Sequence, residues 1–242
     1  MNAYAPAAAR RAARAAILLL GVLSGSAGQA EVGARLSAAS DEIFRGRSIS
    51  QGRPSFGLDL SYDDAGGFYL GGQAKGVAAR GAGAQWLSLT EYGGYAWRTG
   101  RDLTIDLGIT DTHYSRYSSL GRVAGYSEVT LGLIGRHLSG RLSLSPNWFG
   151  AGLTTGYAEA GATLGDPTGW QASLHGGVLQ WLDGERPAGI PRTRYDWRIG
   201  LARDFGRVRA EAAWAAGGPR PDYYDGNPRG HGALVLSASA RF

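Results

Sequence analysis

The chain has 242 residues, among them 40 glycines and no cysteine, and a formal net charge of +5. The lack of cysteine excludes disulfide cross-links and thiolate metal sites. No basic cluster interleaved with aromatic residues lies on one predicted element, so nucleic-acid binding is not expected.

The first thirty residues have the pattern of a secretory signal peptide. Three arginines precede the apolar run 15–23, and a small, polar stretch closes on Ala30. A membrane-spanning helix is the alternative, but it needs ~20 apolar residues, far more than this run supplies. We therefore predict cleavage after Ala30, which leaves residues 31–242 as one exported domain. Without the three arginines its net charge is +2, since residues 1–30 contain no acid.

Alternating apolar and polar residues predict β-strands along the rest of the chain. The clearest case is 54–63, where the apolar positions are Phe56, Leu58, Leu60 and Tyr62. Segments 103–110 and 195–202 repeat this period of two. Counting weaker examples, we predict about twelve strands: 31–43, 54–63, 68–75, 85–97, 103–110, 125–137, 141–145, 155–164, 169–182, 195–202, 207–215 and 231–242.

The connections between these strands alternate in length. Short turns that contain glycine are predicted at 64–67, 98–101, 138–140, 165–168 and 204–206. Longer loops are predicted at 44–53, 76–84, 111–124, 146–154, 183–193 and 216–230. This order is typical of an all-β, antiparallel, up-and-down transmembrane β-barrel with short periplasmic turns and longer extracellular loops. A soluble β-sandwich is the alternative fold, but it has no reason to sort its loops by length.

The end of the chain supports the membrane interpretation. Phe242 is in phase with Leu234, Leu236, Ala238 and Ala240. This ending resembles the last strand of Gram-negative outer-membrane barrels, in which a C-terminal Phe is recognised by the assembly machinery. We therefore expect Phe242 to be an assembly signal, the location to be the cell outer membrane of a Gram-negative bacterium, and outer-membrane lipid and the assembly machinery to be partners.

Aromatic residues near the predicted strand ends favour two interfacial girdles. Those predicted toward the short turns are Tyr62, Phe68, Tyr69, Trp97, Trp170 and Phe242. Those predicted toward the long loops are Trp86, Trp148, Trp181, Tyr195 and Trp214.

The stretch 40–72 resembles the TorF-type porin family of proteobacteria. The family's hallmarks are an Arg-Gly-x-Ser-Gln segment after the first strand and a Gly-Phe-Tyr hairpin. The residues that carry the resemblance are Ser40, Asp41, Phe44, Arg45, Gly46, Ser48, Ile49, Ser50, Gln51, Gly52, Pro54, Ser61, Tyr62, Gly67, Phe68, Tyr69, Leu70 and Gly71. The chain departs from the pattern by an insertion around Arg47 and at 73–75. The resemblance implies an outer-membrane barrel with a porin role and no assigned substrate.

Charges of both signs lie opposite the apolar rows and are expected to face the lumen. The candidates for a pore or its mouth are Arg45, Arg47 and Arg53 in the first long loop, together with Lys75, Asp106, Arg198, Arg209 and Glu211. Twelve strands give a bore that loops and ion pairs can constrict or close. Glu91 is the exception, because it is in phase with Leu87 and Leu89 on the lipid side; a bulge at 93–94 or a position near the interface would accommodate it.

No motif indicates catalysis, a metal or a cofactor. The four histidines, His113, His137, His175 and His231, lie on different segments without metal-ligand spacing, and the glycine pairs lie in strands and turns rather than in phosphate-binding loops. We predict a non-enzymatic porin-like channel for passive diffusion of small hydrophilic solutes or ions. The alternatives are a sealed barrel with a structural or surface-interaction role and a lipid-modifying outer-membrane enzyme.

Overall fold

The computed structural model describes residues 30–100, 102–166, 169–185, 191–219, 223–224, 227–228 and 232–242. Glu31–Phe242 forms one compact unit. Apart from Ala30, the predicted signal peptide lies outside the described residues and stays a prediction. Within the described ranges, no helix is long and apolar enough to cross a membrane.

Twelve long strands form one closed antiparallel sheet. They are β1 Glu31–Ala39, β2 Ser55–Asp63, β3 Phe68–Ala79, β4 Gly83–Thr99, β5 Leu103–Tyr114, β6 Ala124–Gly135, β7 Leu138–Ser145, β8 Thr154–Gly165, β9 Trp170–Asp183, β10 Thr193–Phe205, β11 Val208–Gly218 and β12 Gly232–Arg241. Each strand pairs with its neighbours in sequence, and β1 pairs with both β2 and β12, which closes the barrel. The predicted all-β up-and-down barrel of twelve strands is confirmed.

The outer wall of the barrel is apolar. On β12, Leu234 and Leu236 are 58% and 56% exposed, whereas Val235 between them is 7% exposed. The same alternation leaves large apolar residues exposed around the circumference, for example Leu36, Leu58, Leu107, Ile109, Leu131, Leu142, Val178 and Ile199. A continuous apolar exterior around a polar interior is the pattern of a lipid-facing barrel.

Two predicted connections are wrong. β3 continues to Ala79 and β4 begins at Gly83, so only residues 80–82 connect them instead of a long loop over 76–84. This stretch is rich in Gly and Ala and has no polar alternation to mark it as strand. The short turn predicted at 138–140 lies at 136–137 instead, because Leu138 already pairs with Ala162 in the sheet. Long and short connections therefore do not alternate strictly.

A β-bulge lies in β4, but not at 93–94, which was one of the two alternatives considered for Glu91. Lys75 pairs with Ser88 and Gly76 pairs with Trp86, so Leu87 is the extra residue, and it is fully buried inside the barrel. Glu91 lies directly opposite Asp111 and lines a groove of the outer wall with Leu107 and Val129.

The predicted girdles are correct only in part. Trp97, Trp170 and Phe242 at the short-turn end are exposed on the outer wall, as are Trp86, Tyr195 and Trp214 toward the long-loop end. Trp148 and Trp181, however, are buried, at 8% and 9% exposure. Tyr69 faces the lumen, and its hydroxyl would lie 2.5 Å from a Cβ placed on Gly94.

Candidate functional site: a hairpin in the barrel lumen

The first loop folds into the barrel as a small hairpin. Ile43–Phe44 pairs antiparallel with Arg47–Ser48, and Arg45 and Gly46 form the tip with φ values of 48° and 71°. Positive φ at both central residues is what a two-residue type I′ turn requires. We call residues 43–48 the inner hairpin.

The tip of the inner hairpin lies against the wall formed by β10 and β11. A Cβ on Gly46 would lie 2.7 Å from both the Ala216 carbonyl oxygen and the Asp196 Cβ, on β11 and β10. No larger residue fits this position without moving the wall. The inner hairpin therefore extends from the loop between β1 and β2 to strands β10 and β11.

Polar contacts at the base of the inner hairpin hold the loop in shape. Asp41 accepts hydrogen bonds from the Ser48 and Ser50 hydroxyls, the latter at 2.7 Å, and from the Gly52 N–H at 3.2 Å. Arg53 donates to the Ser50 and Tyr117 carbonyl oxygens at 2.7 and 2.5 Å. Arg53 therefore ties the first loop to the loop 115–123.

Arg45 is enclosed in the lumen. Its Nη2 lies 2.9 and 3.0 Å from the two carboxylate oxygens of Glu128 on β6. Its guanidinium carbon lies 3.9 Å from the ring centroid of Tyr157 on β8, 5.0 Å from that of Trp148 and 4.9 Å from that of Phe44. Only 12% of the Arg45 side chain and 7% of the Glu128 side chain are exposed. The ion pair is thus largely desolvated, and aromatic faces complete its surroundings.

An apolar cluster, which we call the mouth core, fills the long-loop end of the barrel around the inner hairpin. Its aromatic rings are close: the centroids of Tyr126 and Trp148 are 4.8 Å apart, and those of Trp148 and Phe149 are 4.7 Å apart. The buried members of the mouth core are Ile49, Val77, Leu87, Tyr114, Tyr126, Trp148, Leu153, Tyr157, Leu179 and Trp181.

A polar cavity of about 560 Å³ lies in the lumen against the inner hairpin. Hydroxyl groups line one wall, on β4, β5 and β6: Ser88, Thr90, Thr110, Thr112 and Thr130. Charged and titratable groups line the other, on β7 to β10: Arg141, Glu159, His175, Asp196 and Arg198. The interior is therefore hydrophilic where the mouth core ends.

Each basic side chain that lines the cavity lies within salt-bridge distance of a carboxylate. Besides Arg45, these are Lys75 with Glu42, Arg141 with Glu159 at 3.7 Å, and Arg198 with Glu211 at 2.9 Å. The positive charges that line the cavity are thus largely compensated.

His175 belongs to a hydrogen-bonded cluster in this wall. Its Nε2 lies 2.9 Å from Asp196 Oδ1 and 3.2 Å from the Tyr157 hydroxyl, which itself donates to Asp196 at 3.0 Å. Its Nδ1 lies 3.9 Å from Glu159. Among the described residues, no group of three or more His, Asp or Glu can hold a metal ion.

The structure brings some of the predicted site residues together and separates others. Arg45, Lys75 and Arg198 line the cavity, and Glu211 pairs with Arg198. Arg53 lies between two loops, and Arg47 pairs with Phe44 in the inner hairpin.

Three other predicted residues lie away from the cavity. Asp106 is buried on β5. Arg209 contacts Asp204 and Gln171, at 3.1 and 2.9 Å, near the short-turn end. Phe242 lies on the outer wall.

Sequence reasoning missed the aromatic members of the site. Tyr157 is in phase with Glu159 on β8, so the alternation of this strand directs both side chains into the lumen. No such signal exists for Trp148, which lies in a loop whose path depends on packing. No site role is predicted for His175 from the sequence, although its phase on β9 directs it inward.

The architecture defines the class: a closed twelve-stranded barrel of the outer-membrane type. The chain belongs to a family of bacterial proteins of unknown function (Gcw_chp), whose model matches residues 24–231. No curated protein matches the chain in sequence. The resemblance to TorF-type porins is not confirmed by these comparisons.

Two solved porins share the fold. The NanC porin is 10% identical, with a TM-score of 0.56 over 87% of this chain and 98% of its own. The KdgM porin is also 10% identical, with a TM-score of 0.50 over 87% of this chain and 99% of its own.

Proposed function

We propose that the protein is a channel of the Gram-negative outer membrane for passive diffusion of small hydrophilic solutes or ions. The observation that carries this proposal is the hydrophilic cavity of about 560 Å³ inside a closed barrel whose outer wall is apolar. In this proposal the outer wall contacts outer-membrane lipid, the assembly machinery recognises the strand that ends in Phe242, and the inner hairpin narrows the path.

A sealed barrel is the second candidate, and the mouth core favours it. Ten buried residues, all of them aromatic or branched, pack around the inner hairpin at the long-loop end. If this packing never opens, the long loops alone would contact the surroundings, and the protein would serve a structural or surface-interaction role.

Single-channel recording on refolded wild-type protein separates the two candidates. A channel gives stable conductance steps in planar bilayers and solute-dependent swelling of loaded vesicles, whereas a sealed barrel gives neither. Protein that enters the membrane as a heat-modifiable barrel but stays silent in repeated insertions contradicts the channel. Vesicles that contain heat-unfolded protein are the control for leakage.

A further inference from the structure

Most of the groups around Arg45 come from parts of the barrel outside the inner hairpin. Glu128 is on β6, Tyr157 is on β8, and Trp148 is in the loop between β7 and β8. We call these three residues the cation cage. Arg45 and Phe44 are the only parts of the site that the inner hairpin supplies, so withdrawal of the inner hairpin leaves one carboxylate and two aromatic rings.

The chemistry of the cation cage fits a guanidinium group. Guanidinium is planar, binds a carboxylate through N–H donors and stacks on aromatic faces, whereas an ammonium is a compact, strongly hydrated point charge. The ring contact carries this assignment, because the guanidinium carbon lies 3.9 Å from the Tyr157 ring centroid. A single guanidinium nitrogen contacts both oxygens of Glu128. The Tyr157 hydroxyl is held by Asp196 at 3.0 Å, which fixes the ring in this orientation.

The inner hairpin binds this site as a tethered ligand. Arg45 adopts a φ of 48°, a left-handed conformation that is unfavourable for a non-glycine residue. The tether gives Arg45 a high local concentration at the cation cage. A free solute of the same chemistry therefore competes with Arg45 for Glu128 and the two rings.

We propose that Glu128, Trp148 and Tyr157 form a binding site for organic cations of the guanidinium type, which Arg45 occupies as an internal ligand. Binding of such a solute displaces the inner hairpin from the lumen. The binding site itself does not require conduction; only the consequence for permeation rests on the proposed channel function.

Calorimetric titration of refolded Arg45→Ala protein with N-ethylguanidinium tests the site directly. We expect saturable binding, and affinity lower by roughly thirtyfold or more in the Arg45→Ala, Glu128→Gln double variant, because the solute then loses its buried charge partner. N-ethylurea is the neutral control and should not bind. Absence of saturable binding to the folded Arg45→Ala barrel, or binding that Glu128→Gln leaves unchanged, overturns the proposal. Equal affinity for ethylammonium overturns the guanidinium assignment.

The wild-type inner hairpin gives a second test that does not depend on Arg45→Ala folding. Ile49 is 4% exposed in the mouth core, and the natural chain has no cysteine, so an Ile49→Cys thiol reports release of the first loop. N-ethylguanidinium should increase its rate of maleimide labelling in a saturable manner, while the rate at exposed Arg80→Cys stays constant. An unchanged rate at position 49 contradicts displacement. Because neither experiment measures current, a silent but ligand-binding barrel refutes only the channel.

Discussion

Phe242 and Ala34 exchange both of their backbone hydrogen bonds at the seam of the barrel. The Phe242 N–H donates to the Ala34 carbonyl oxygen at 2.9 Å, and the Ala34 N–H donates to the Phe242 carbonyl oxygen at 3.2 Å. The last residue therefore forms the final hydrogen-bonded pair between β12 and β1. Phe242 is 66% exposed and lies on the outer wall.

Deletion of Phe242 should block assembly far more than it lowers stability. The deletion removes two backbone hydrogen bonds, together worth about 1–3 kcal/mol, and the aromatic group that ends the strand. We expect little heat-modifiable barrel in the outer membrane, although protein refolded in detergent still forms a barrel. Phe242→Tyr keeps both features and should assemble normally. Normal membrane yield of the deletion variant would refute the assembly-signal prediction.

Arginine on the outer wall should be much more harmful than arginine at a neighbouring lumen position. Leu58 faces outward at 40% exposure, whereas Gln73 lines the cavity directly opposite Asp59. Leu58→Arg places a charge in lipid, which costs about 2–4 kcal/mol near the bilayer midplane. Gln73→Arg instead gains a carboxylate neighbour and should unfold close to wild type. The measurement is the urea unfolding midpoint of each variant in lipid vesicles. Equal midpoints would contradict the assignment of Leu58 to the outer wall and of Gln73 to the lumen.

Two adjacent glycines in β3 should tolerate alanine very differently. A Cβ on Gly71 would lie 2.4 Å from the Tyr92 ring and 2.7 Å from the Leu60 carbonyl oxygen, whereas a Cβ on Gly72 would meet only the Thr90 carbonyl oxygen at 3.6 Å. Gly71→Ala must displace the Tyr92 ring inside the lumen, which we expect to cost about 1–3 kcal/mol. Gly72→Ala is the matched control. Unfolding free energies that agree within error would show that the lumen near Tyr92 is not tightly packed.

In the proposed channel, Arg45 and Arg53 of the first loop should differ in their effect on ion selectivity. Arg45→Gln leaves Glu128 without its cationic partner inside the lumen, so the reversal potential in a salt gradient should shift toward cations. The shift should be larger at 0.1 M salt than at 1 M salt, because the screening length is about 10 Å at the lower concentration and about 3 Å at the higher one. Arg53→Gln should not shift it, because Arg53 contacts backbone carbonyl oxygens between two loops. Equal shifts for both variants would refute the structural distinction.

The fold was largely predictable from the sequence, and the candidate site was not. Alternation identified β2, β5 and β10, because lipid on one side and a polar lumen on the other impose a period of two. It failed at 76–84, where Gly and Ala carry no polarity signal, and Val77 continues β3 into the mouth core. The contacts of Arg45 were beyond prediction, since Glu128, Trp148 and Tyr157 are 83 to 112 positions away and meet it only when the loop turns inward.

In the proposed channel, the inner hairpin narrows the path through the lumen. The most direct test compares the single-channel conductance of wild-type protein with that of a variant in which residues 43–48 are replaced by two glycines. In this variant Asp41 still accepts hydrogen bonds from the Ser50 hydroxyl and the Gly52 N–H, so the base of the first loop stays in place. We predict small, stable steps for the wild type, a clearly larger conductance for the shortened variant, and wild-type conductance for the Arg53→Gln control. Equal conductance with and without the inner hairpin, or silence of both folded proteins, would contradict the account.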